Sequence, residues 1–345
     1  MKKLLLLLVA GWSMAFYGQI PAYYSSIDFN VSGEALKDQI ALLITQTHHT
    51  FLSYTPGTWE AIKISDIDPE NPNNVFLIYG YNDSDGVFMS DRTRFKDDNC
   101  TFSGCIGLWN REHVYPRSLG NPNLGFDGVG ADVHNLRAID AQMNSHRGNR
   151  RFIQGSGNGG NIGNFFYPGD EWKGDVARMM MYMYLRYGEQ CEAVNVGAGS
   201  TAMSPLGDMP DIFLLWNEQD PVSPYEMVRN DLLETLQGNR NPFIDNPYLV
   251  TMIWNGPAAA DPWNSLSITN TTVPNWAVYP TVTRDVVYVQ TSTEQPSYEI
   301  YSINGQKLEG GTTKETLSFS NYPSGLYLIR LHDGKSEKVV KVMKQ

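Results

Sequence analysis

The chain contains 345 residues, 41% of them hydrophobic, which predicts a globular protein of two domains because single domains commonly hold about 100–200 residues. Its 26 Lys and Arg against 37 Asp and Glu give a net charge of −11 at pH 7. This charge argues against a protein that coats nucleic acid electrostatically, for which a basic domain is expected. An enzyme with a locally basic cleft remains compatible with it.

The N-terminus has the pattern of a secretory leader. Lys2 and Lys3 precede an apolar run over residues 4–15, and we predict a signal peptide over residues 1–18 with cleavage before Gln19. An uncleaved anchor is the alternative, but the run is shorter than the roughly 18 apolar residues of a membrane span. We therefore expect an exported mature protein without an integral membrane segment.

The next segments predict a helix, a strand and a turn. Apolar residues recur at helical spacing over residues 33–45, and Ser32 can cap that helix. The apolar run 75–81 predicts a buried strand. Residues 82–86 resemble a calcium loop superficially, but Tyr81 stands where the first acidic ligand belongs, so a turn is predicted.

Three cysteines occur, Cys100, Cys105 and Cys191. In an oxidising compartment Cys100 and Cys105 can close a small loop, but spacing alone leaves both the disulfide and two free thiols open. Cys191 is then the odd cysteine. A zinc site is not expected, because no Cys-x2-Cys motif with a matching second pair exists.

The segment 109–152 concentrates residues suited to hydrolysis of an anionic ester. Carboxylate and amide oxygens suit a hard cation, a histidine can accept a proton near neutral pH, and arginines can hold phosphate in a fork. Its arginines outnumber its acids, so the positive field is local. The candidate site residues are Glu112, His113, His134, Asn135, Asn144 and Arg147.

The same segment predicts a strand–strand–helix unit. We expect strands over residues 108–115 and 133–139, followed by a short helix that Asp140 caps. Asn144 and Arg147 are three positions apart and share a face of this helix. Both side chains are therefore expected to point toward the same phosphate.

Later segments predict two longer helices. Residues 175–187 form one, with its methionines interpreted as core residues rather than ligands. Ser223 opens the other through a capping box with Glu226, and Gly238 ends it. Arg240 follows in a turn, where either a phosphate contact or a structural role is possible.

The character of the sequence changes near residue 265. Short β-rich runs cover residues 286–289, 298–303, 317–319, 325–331 and 338–342. Asn304-Gly305 between two of them is a strong hairpin signal. We predict a first domain over residues 19–265, a linker at 266–274 and a small antiparallel β-sandwich at 275–345.

The strings WNREHVYP, DVHNL, NSHRGN, KGDVARMMMYM and QGNRNPFIDNP resemble the endonuclease I family over about residues 23–254. The resemblance implies an α+β fold, with a ββα-metal (His-Me finger) core embedded in a mainly helical domain. It implies a nuclease of little sequence specificity that leaves 5′-phosphates and uses one divalent ion. Glu112 and Asn144 would hold this ion, usually Mg²⁺, with Mn²⁺ or Ca²⁺ as alternatives, and no other cofactor is expected.

The resemblance also implies roles for the remaining candidates. His113 would be the general base that activates water, and Arg147 a contact to phosphate or the transition state. His134 and Asn135 would support the site, for example by fixing His113. The cysteine-rich framework of some periplasmic members is missing here, so control by disulfides is not implied.

The C-terminal strings VYPTVTRDVVYV, YEIYSINGQKL and YPSGLYLIRL, with a basic end, resemble the type A sorting domain of the type IX secretion system. This implies that the secretion machinery is a partner and that the protein is secreted, extracellular or on the cell surface. An accessory sandwich that binds carbohydrate or protein is the alternative.

Two hypotheses of different classes follow. The first is an exported metal-dependent endonuclease acting on DNA and RNA, with a nuclease restricted to RNA as a variant. The second is a surface binding protein on a catalytically silent nuclease scaffold. Intact Glu112, His113 and Asn144 argue against the second hypothesis.

Overall fold

A computed structural model describes residues 20–345 except for 103–104, 264–275, 291–295, 303–305, 314 and 333–336. The predicted signal peptide, the linker and the Asn304-Gly305 turn therefore lie outside the described residues. The chain divides into two compact units, residues 1–265 and 266–345. In the described part of the chain, no helix is both long and apolar enough to cross a membrane.

The first unit combines helices with small antiparallel sheets, which agrees with the predicted α+β class. Its helices are α1 (Gly33–Thr47), α2 (Gly57–Ser65), α3 (Ala141–Arg147), α4 (Lys173–Tyr187), α5 (Asp211–Gln219), α6 (Pro224–Gln237), α7 (Pro242–Asp245) and α8 (Leu249–Trp254). Its strands pair as β1 (Asn74–Phe76) with β2 (Thr93–Phe95), β3 (Trp109–His113) with β4 (Leu136–Asp140), and β5 (Gly160–Ile162) with β6 (Phe165–Tyr167).

Helix α4 lies in the main hydrophobic core of the first unit. Met180, Met181 and Met183 are fully enclosed there, which confirms their interpretation as core residues. Unbranched, polarisable methionine side chains fill irregular space between α4 and the helices packed against it. Strand β3 begins at Trp109, which belongs to a second hydrophobic cluster.

The ends of α6 follow local sequence, whereas the side chain of Ser32, the predicted cap of the first helix, makes no capping hydrogen bond. The helix predicted over residues 33–45 is α1, which continues to Thr47. Helix α6 begins at the predicted capping box: Ser223 Oγ accepts from Glu226 N, and Glu226 Oε2 accepts from Ser223 N. Gly238 ends α6 with a φ of 95°, a conformation that glycine adopts without steric cost.

The structure corrects one predicted strand of the first unit and decides between the two roles considered for Arg240. The strand predicted over residues 75–81 ends at Phe76, and it could not reach residue 81 because Tyr79 has a φ of 69°. Arg240 has the structural role, since it pairs with Glu234 at 2.5 Å and Asp245 at 2.6 Å.

The second unit consists of two sheets around one core. Its strands are β7 (Ala277–Tyr279), β8 (Val282–Thr283), β9 (Val286–Gln290), β10 (Ser297–Ser302), β11 (Lys307–Thr312), β12 (Thr316–Ser318), β13 (Gly325–His332) and β14 (Glu337–Lys344). They are ordered β11-β10-β13-β14-β8 and β12-β9-β7. Val287 of one sheet and Ile329 of the other belong to one hydrophobic cluster.

The second unit departs from the predicted purely antiparallel arrangement at one edge. Strand β8 pairs with β14 in parallel, through Val282 opposite Met343 and Thr283 opposite Lys344. The other described pairings of this unit are antiparallel. Two residues at a sheet edge carry too little hydrophobic pattern to reveal this pairing in advance.

Candidate active site

Strands β3 and β4 and helix α3 carry most of the candidate residues. The strands pair antiparallel, with Glu112 opposite Arg137 and His113 opposite Leu136. Helix α3 follows β4 directly because Asp140 Oδ1 accepts from the backbone N of Gln142 at 2.8 Å and caps its first turn, as predicted.

The second predicted strand begins later than expected. Residues Val133–Asn135 form a 3₁₀ turn instead of the start of a strand over residues 133–139. The cause is Asp132, whose carboxylate accepts from the backbone N of His134 at 2.9 Å and so favours the turn. His134 and Asn135 therefore precede β4 instead of belonging to it.

The structure brings three candidate residues to one cavity. Its volume is about 470 Å³, and Glu112, His113 and Asn144 line it together with Tyr54, Arg111 and Arg117. Helix α3 contributes Asn144, and strand β3 contributes the adjacent acid and histidine. The carboxylate, imidazole and amide that the sequence singled out therefore face a shared space.

The His113 ring is held in one tautomer by the backbone. Its Nε2 lies 2.9 Å from the Gly130 carbonyl oxygen. A carbonyl only accepts, so Nε2 carries the hydrogen and Nδ1 keeps its lone pair. Burial, together with the Arg117 charge, lowers the pKa of His113 to about 4. The imidazole is thus neutral at pH 7 and able to accept a proton.

Glu112 is buried, and its hydrogen bonds within the described part of the chain are made by one carboxylate oxygen. Its Oε1 accepts from Arg147 Nη1 at 3.0 Å and from Tyr79 OH at 3.4 Å, and the residue is 2% exposed. Burial raises the pKa of Glu112 to about 7 even though Arg147 opposes the shift. Additional positive charge beside this carboxylate would therefore be favourable.

Asn144 lines the same cavity as that carboxylate. Its Nδ2 donates to Asn110 Oδ1 at 2.7 Å and to the Arg111 carbonyl at 3.2 Å, which leaves Oδ1 as the acceptor of the group. One carboxylate and one amide oxygen fit a magnesium-type ion, which takes few protein ligands and keeps several waters. Within the described ranges, no group of three or more His, Cys, Asp or Glu is arranged to hold a metal.

Arg147 is fully buried. Besides Glu112, its guanidinium donates to the carbonyls of His113 at 3.1 Å and Val114 at 2.8 Å. Asn144 on the same helix lines the cavity, whereas Arg147 is not among its lining residues. The described contacts of Arg147 hold strand β3, and its contact with phosphate stays a prediction.

His134 and Asn135 have different surroundings. His134 Nε2 lies 3.1 Å from the Asn239 carbonyl, and its ring packs 4.4 Å from Tyr182, away from His113. Asn135 Oδ1 accepts from Tyr115 N at 2.7 Å, and its Nδ2 donates to the Tyr115 carbonyl at 3.1 Å. Asn135 thus holds the chain two residues beyond His113.

Sequence reasoning missed two parts of the site, the Gly130 carbonyl and the ring of Tyr54. Tyr54 stacks on the His113 ring with centroids 5.8 Å apart. No local motif marks either group, since one is backbone and the other lies before α2 in the chain. The disulfide left open by spacing is present, joining Cys100 to Cys105 with 5.9 Å between Cα atoms, and Cys191 is buried and free.

Comparison with known proteins assigns the first unit to a family. The model of the family described as Endonuclease I matches residues 32–248. This chain belongs to the endonuclease I family. The predicted resemblance is confirmed, and the match includes both strands and the helix that build the cavity.

Relatives of this endonuclease I family member include secreted nucleases. The extracellular ribonuclease of Bacillus amyloliquefaciens is 40% identical over 234 residues, 65% of this chain and 75% of the relative. The extracellular ribonuclease of Bacillus subtilis (strain 168) is 38% identical over 249 residues, 69% and 80% of the two chains. A periplasmic deoxyribonuclease of Aeromonas hydrophila is 28% identical over 141 residues, 36% and 54%.

The second unit also matches a known domain. Residues 277–345 match the Secretion system C-terminal sorting domain, which implies export by the type IX secretion system. This confirms the sorting interpretation of the C-terminal strings. The endonuclease I family member is therefore a secreted or cell-surface nuclease.

Proposed function

We propose that this protein is a metal-dependent endonuclease that hydrolyses phosphodiester bonds of DNA and RNA with little sequence specificity. One observation carries the proposal: the neutral imidazole of His113, fixed through Nε2 on the Gly130 carbonyl, shares a cavity with the oxygens of Glu112 and Asn144. We assign strands β3 and β4 with helix α3 as the ββα-metal core.

Glu112 and Asn144 would hold one divalent ion. We propose Mg²⁺, with Mn²⁺ or Ca²⁺ as alternatives, because both ligand atoms are hard oxygens. When bound, such an ion supplies positive charge that stabilises the phosphate and the leaving oxygen as negative charge develops. Arg147 keeps the Glu112 carboxylate in place by donating to its Oε1.

His113 would act as the general base. Its Nδ1 accepts a proton from a water molecule, whose oxygen then attacks phosphorus. The bond between phosphorus and the 3′-oxygen breaks, and the 3′-oxygen takes a proton from water, leaving a 5′-phosphate and a 3′-hydroxyl. His113 then returns its proton to solvent. A positioned base of this kind contributes about 10²–10⁴-fold in rate. Asn135 supports His113 indirectly by holding Tyr115 through two backbone hydrogen bonds.

A nuclease restricted to RNA is the second candidate. Two relatives that match about two thirds of this chain are named extracellular ribonucleases, whereas the deoxyribonuclease match covers 36% of it. Substrate choice between RNA and DNA depends on contacts to the 2′-hydroxyl. A catalytically silent binding scaffold is disfavoured, because Glu112, His113 and Asn144 are all present and share one cavity.

The test is cleavage of supercoiled plasmid and of RNA by the secreted protein, with Mg²⁺ or with EDTA. Cutting of both substrates only with Mg²⁺ supports the proposal, and products that a ligase can rejoin support 5′-phosphate ends. Cutting of RNA alone favours the second candidate. A folded protein that cuts neither substrate with any divalent ion overturns the enzyme assignment.

A further inference from the structure

Tyr54, Arg111 and Arg117 line the cavity, and two further aromatic side chains pack against them. The Arg111 guanidinium lies 3.5 Å from the ring centroid of Tyr54 and 4.2 Å from that of Trp59. The Tyr54 ring lies 4.9 Å from Phe126, and the Arg117 guanidinium lies 3.8 Å from the Phe126 ring. We call these five side chains the arginine–aromatic stack.

The two arginines of the stack have only neutral partners in the described part of the chain. Arg111 Nη1 donates to Thr58 Oγ1 at 2.8 Å, to Thr55 Oγ1 at 3.4 Å and to the Tyr54 carbonyl. Arg117 Nη1 donates to the Gly125 carbonyl at 3.4 Å. Neither charge is neutralised by a carboxylate among the described residues, so both remain available to an anion.

Two fully buried arginines of the first unit are arranged differently. Arg178 Nη2 lies 2.7 Å from Glu226, and Arg137 Nε lies 3.0 Å from Asp66. Those arginines neutralise buried carboxylates and are themselves enclosed. The contrast shows that the two cavity-lining arginines are not explained by internal ion pairing.

The stack also stands at the reacting end of the cavity. Tyr54, which carries Arg111 on its ring, stacks on the ring of His113. Phe126, which carries Arg117, is 53% exposed. Aromatic faces restrict a guanidinium before it binds, and the planar fork matches phosphate oxygens.

We propose that Arg111 and Arg117 bind backbone phosphates of the nucleic acid next to the phosphate that is hydrolysed, with Tyr54 and Phe126 as positioning residues. The identity of the ligand rests on the proposed function. Phosphate contacts hold a strand without reading its bases, so this surface accounts for binding with little sequence specificity. Arg147 is enclosed against Glu112 and does not line the cavity, so it is not part of this surface.

The test uses fluorescence anisotropy to measure how tightly the secreted protein binds a labelled single-stranded oligonucleotide. The measurements are made in EDTA at several salt concentrations. Arg117→Gln should bind severalfold more weakly, and the slope of log K against log salt should fall by about 0.7. Arg117→Lys should keep the slope and weaken binding, because it retains the charge and loses the fork. Arg92→Gln is the matched control, since it removes one charge from a pair with Glu171 that does not line the cavity.

Each outcome decides the inference. The inference is overturned if Arg117→Gln and Arg92→Gln both keep the wild-type affinity and salt slope. It is also overturned if both variants lose affinity equally. Thermal unfolding followed by circular dichroism identifies a variant that has lost its fold, in which case Phe126→Leu replaces it and should weaken binding. If the wild type cleaves nucleic acid but Arg117→Gln keeps the wild-type salt slope, only this inference is rejected. If Arg117→Gln reduces the salt slope but the wild type does not cleave, only the proposed function is rejected.

Discussion

Arg147 Nη1 donates to Glu112 Oε1 over 3.0 Å, joining the last residue of α3 to strand β3. Both side chains are almost completely enclosed. The same guanidinium also holds the carbonyls of His113 and Val114. One arginine thereby fixes the position of the carboxylate and of the strand that carries the imidazole.

Replacing this arginine should therefore affect stability. Arg147→Met should lower the free energy of unfolding by about 1–3 kcal/mol, because the carbonyls of His113 and Val114 lose their charged donor, whereas Glu112, whose pKa is about 7, can take up a proton. Urea unfolding at pH 7 measures the change. Arg147→Lys, which retains the charge, should lose less, and a loss below about 1 kcal/mol for Arg147→Met would fit a surface pair rather than a buried one.

Asn135 and His134 should differ in their effect on turnover. Asn135→Ala removes both hydrogen bonds to the backbone of Tyr115 and should lower the free energy of unfolding by about 1–3 kcal/mol. It should also lower kcat, because the chain next to His113 loses its support. His134→Gln should leave kcat closer to wild type, since His134 contacts Asn239. Steady-state cleavage of a labelled oligonucleotide compares them, and the reverse order would contradict this division of roles.

Asp66 should contribute stability that depends on pH. Burial would raise its pKa, but Arg229 and Arg137 outweigh burial and hold the pKa below its usual value. A lowered folded-state pKa means that the contribution is complete above the unfolded pKa of about 3.9 and is lost as pH falls through the folded pKa.

The variant Asp66→Asn tests this dependence. Wild type should exceed the variant in free energy of unfolding at pH 7, and the difference should shrink as pH falls below about 4. Urea unfolding across pH 3–7 provides both curves. A difference that stays constant across this range would show that the charge of Asp66 is not its source.

The second unit should direct export without affecting the specific activity of the nuclease. Removing residues 275–345 deletes the segment that matches the sorting domain and leaves the first compact unit whole. We expect the shortened protein to accumulate in the periplasm with unchanged specific activity. Fractionation followed by a nuclease assay measures both, and shortened protein found in the medium would show that export does not need this domain.

Local sequence predicted the elements whose determinants are local. The capping box at Ser223 and Glu226 and the cap of α3 by Asp140 each involve residues within three positions, so the sequence contains the whole interaction. The strand over residues 75–81 was wrong past Phe76, because the apolar run does not encode the positive φ of Tyr79.

The remainder of the site depends on contacts that are distant in sequence. The acid, imidazole and amide were predicted because they lie in strings of the segment 109–152 that resemble the endonuclease I family. The Gly130 carbonyl that sets the His113 tautomer is a backbone atom, which no residue type announces. The enclosure of Arg147 against Glu112 depends on the packing of α3 against β3, which spacing along the helix does not contain.

The most direct measurement compares wild type with His113→Ala in cleavage of plasmid and RNA with Mg²⁺, beside oligonucleotide binding in EDTA. If His113 is the general base, we predict a fall in kcat of about 10²–10⁴-fold with binding unchanged. Turnover close to wild type by the folded variant would contradict the assignment of His113 as the base.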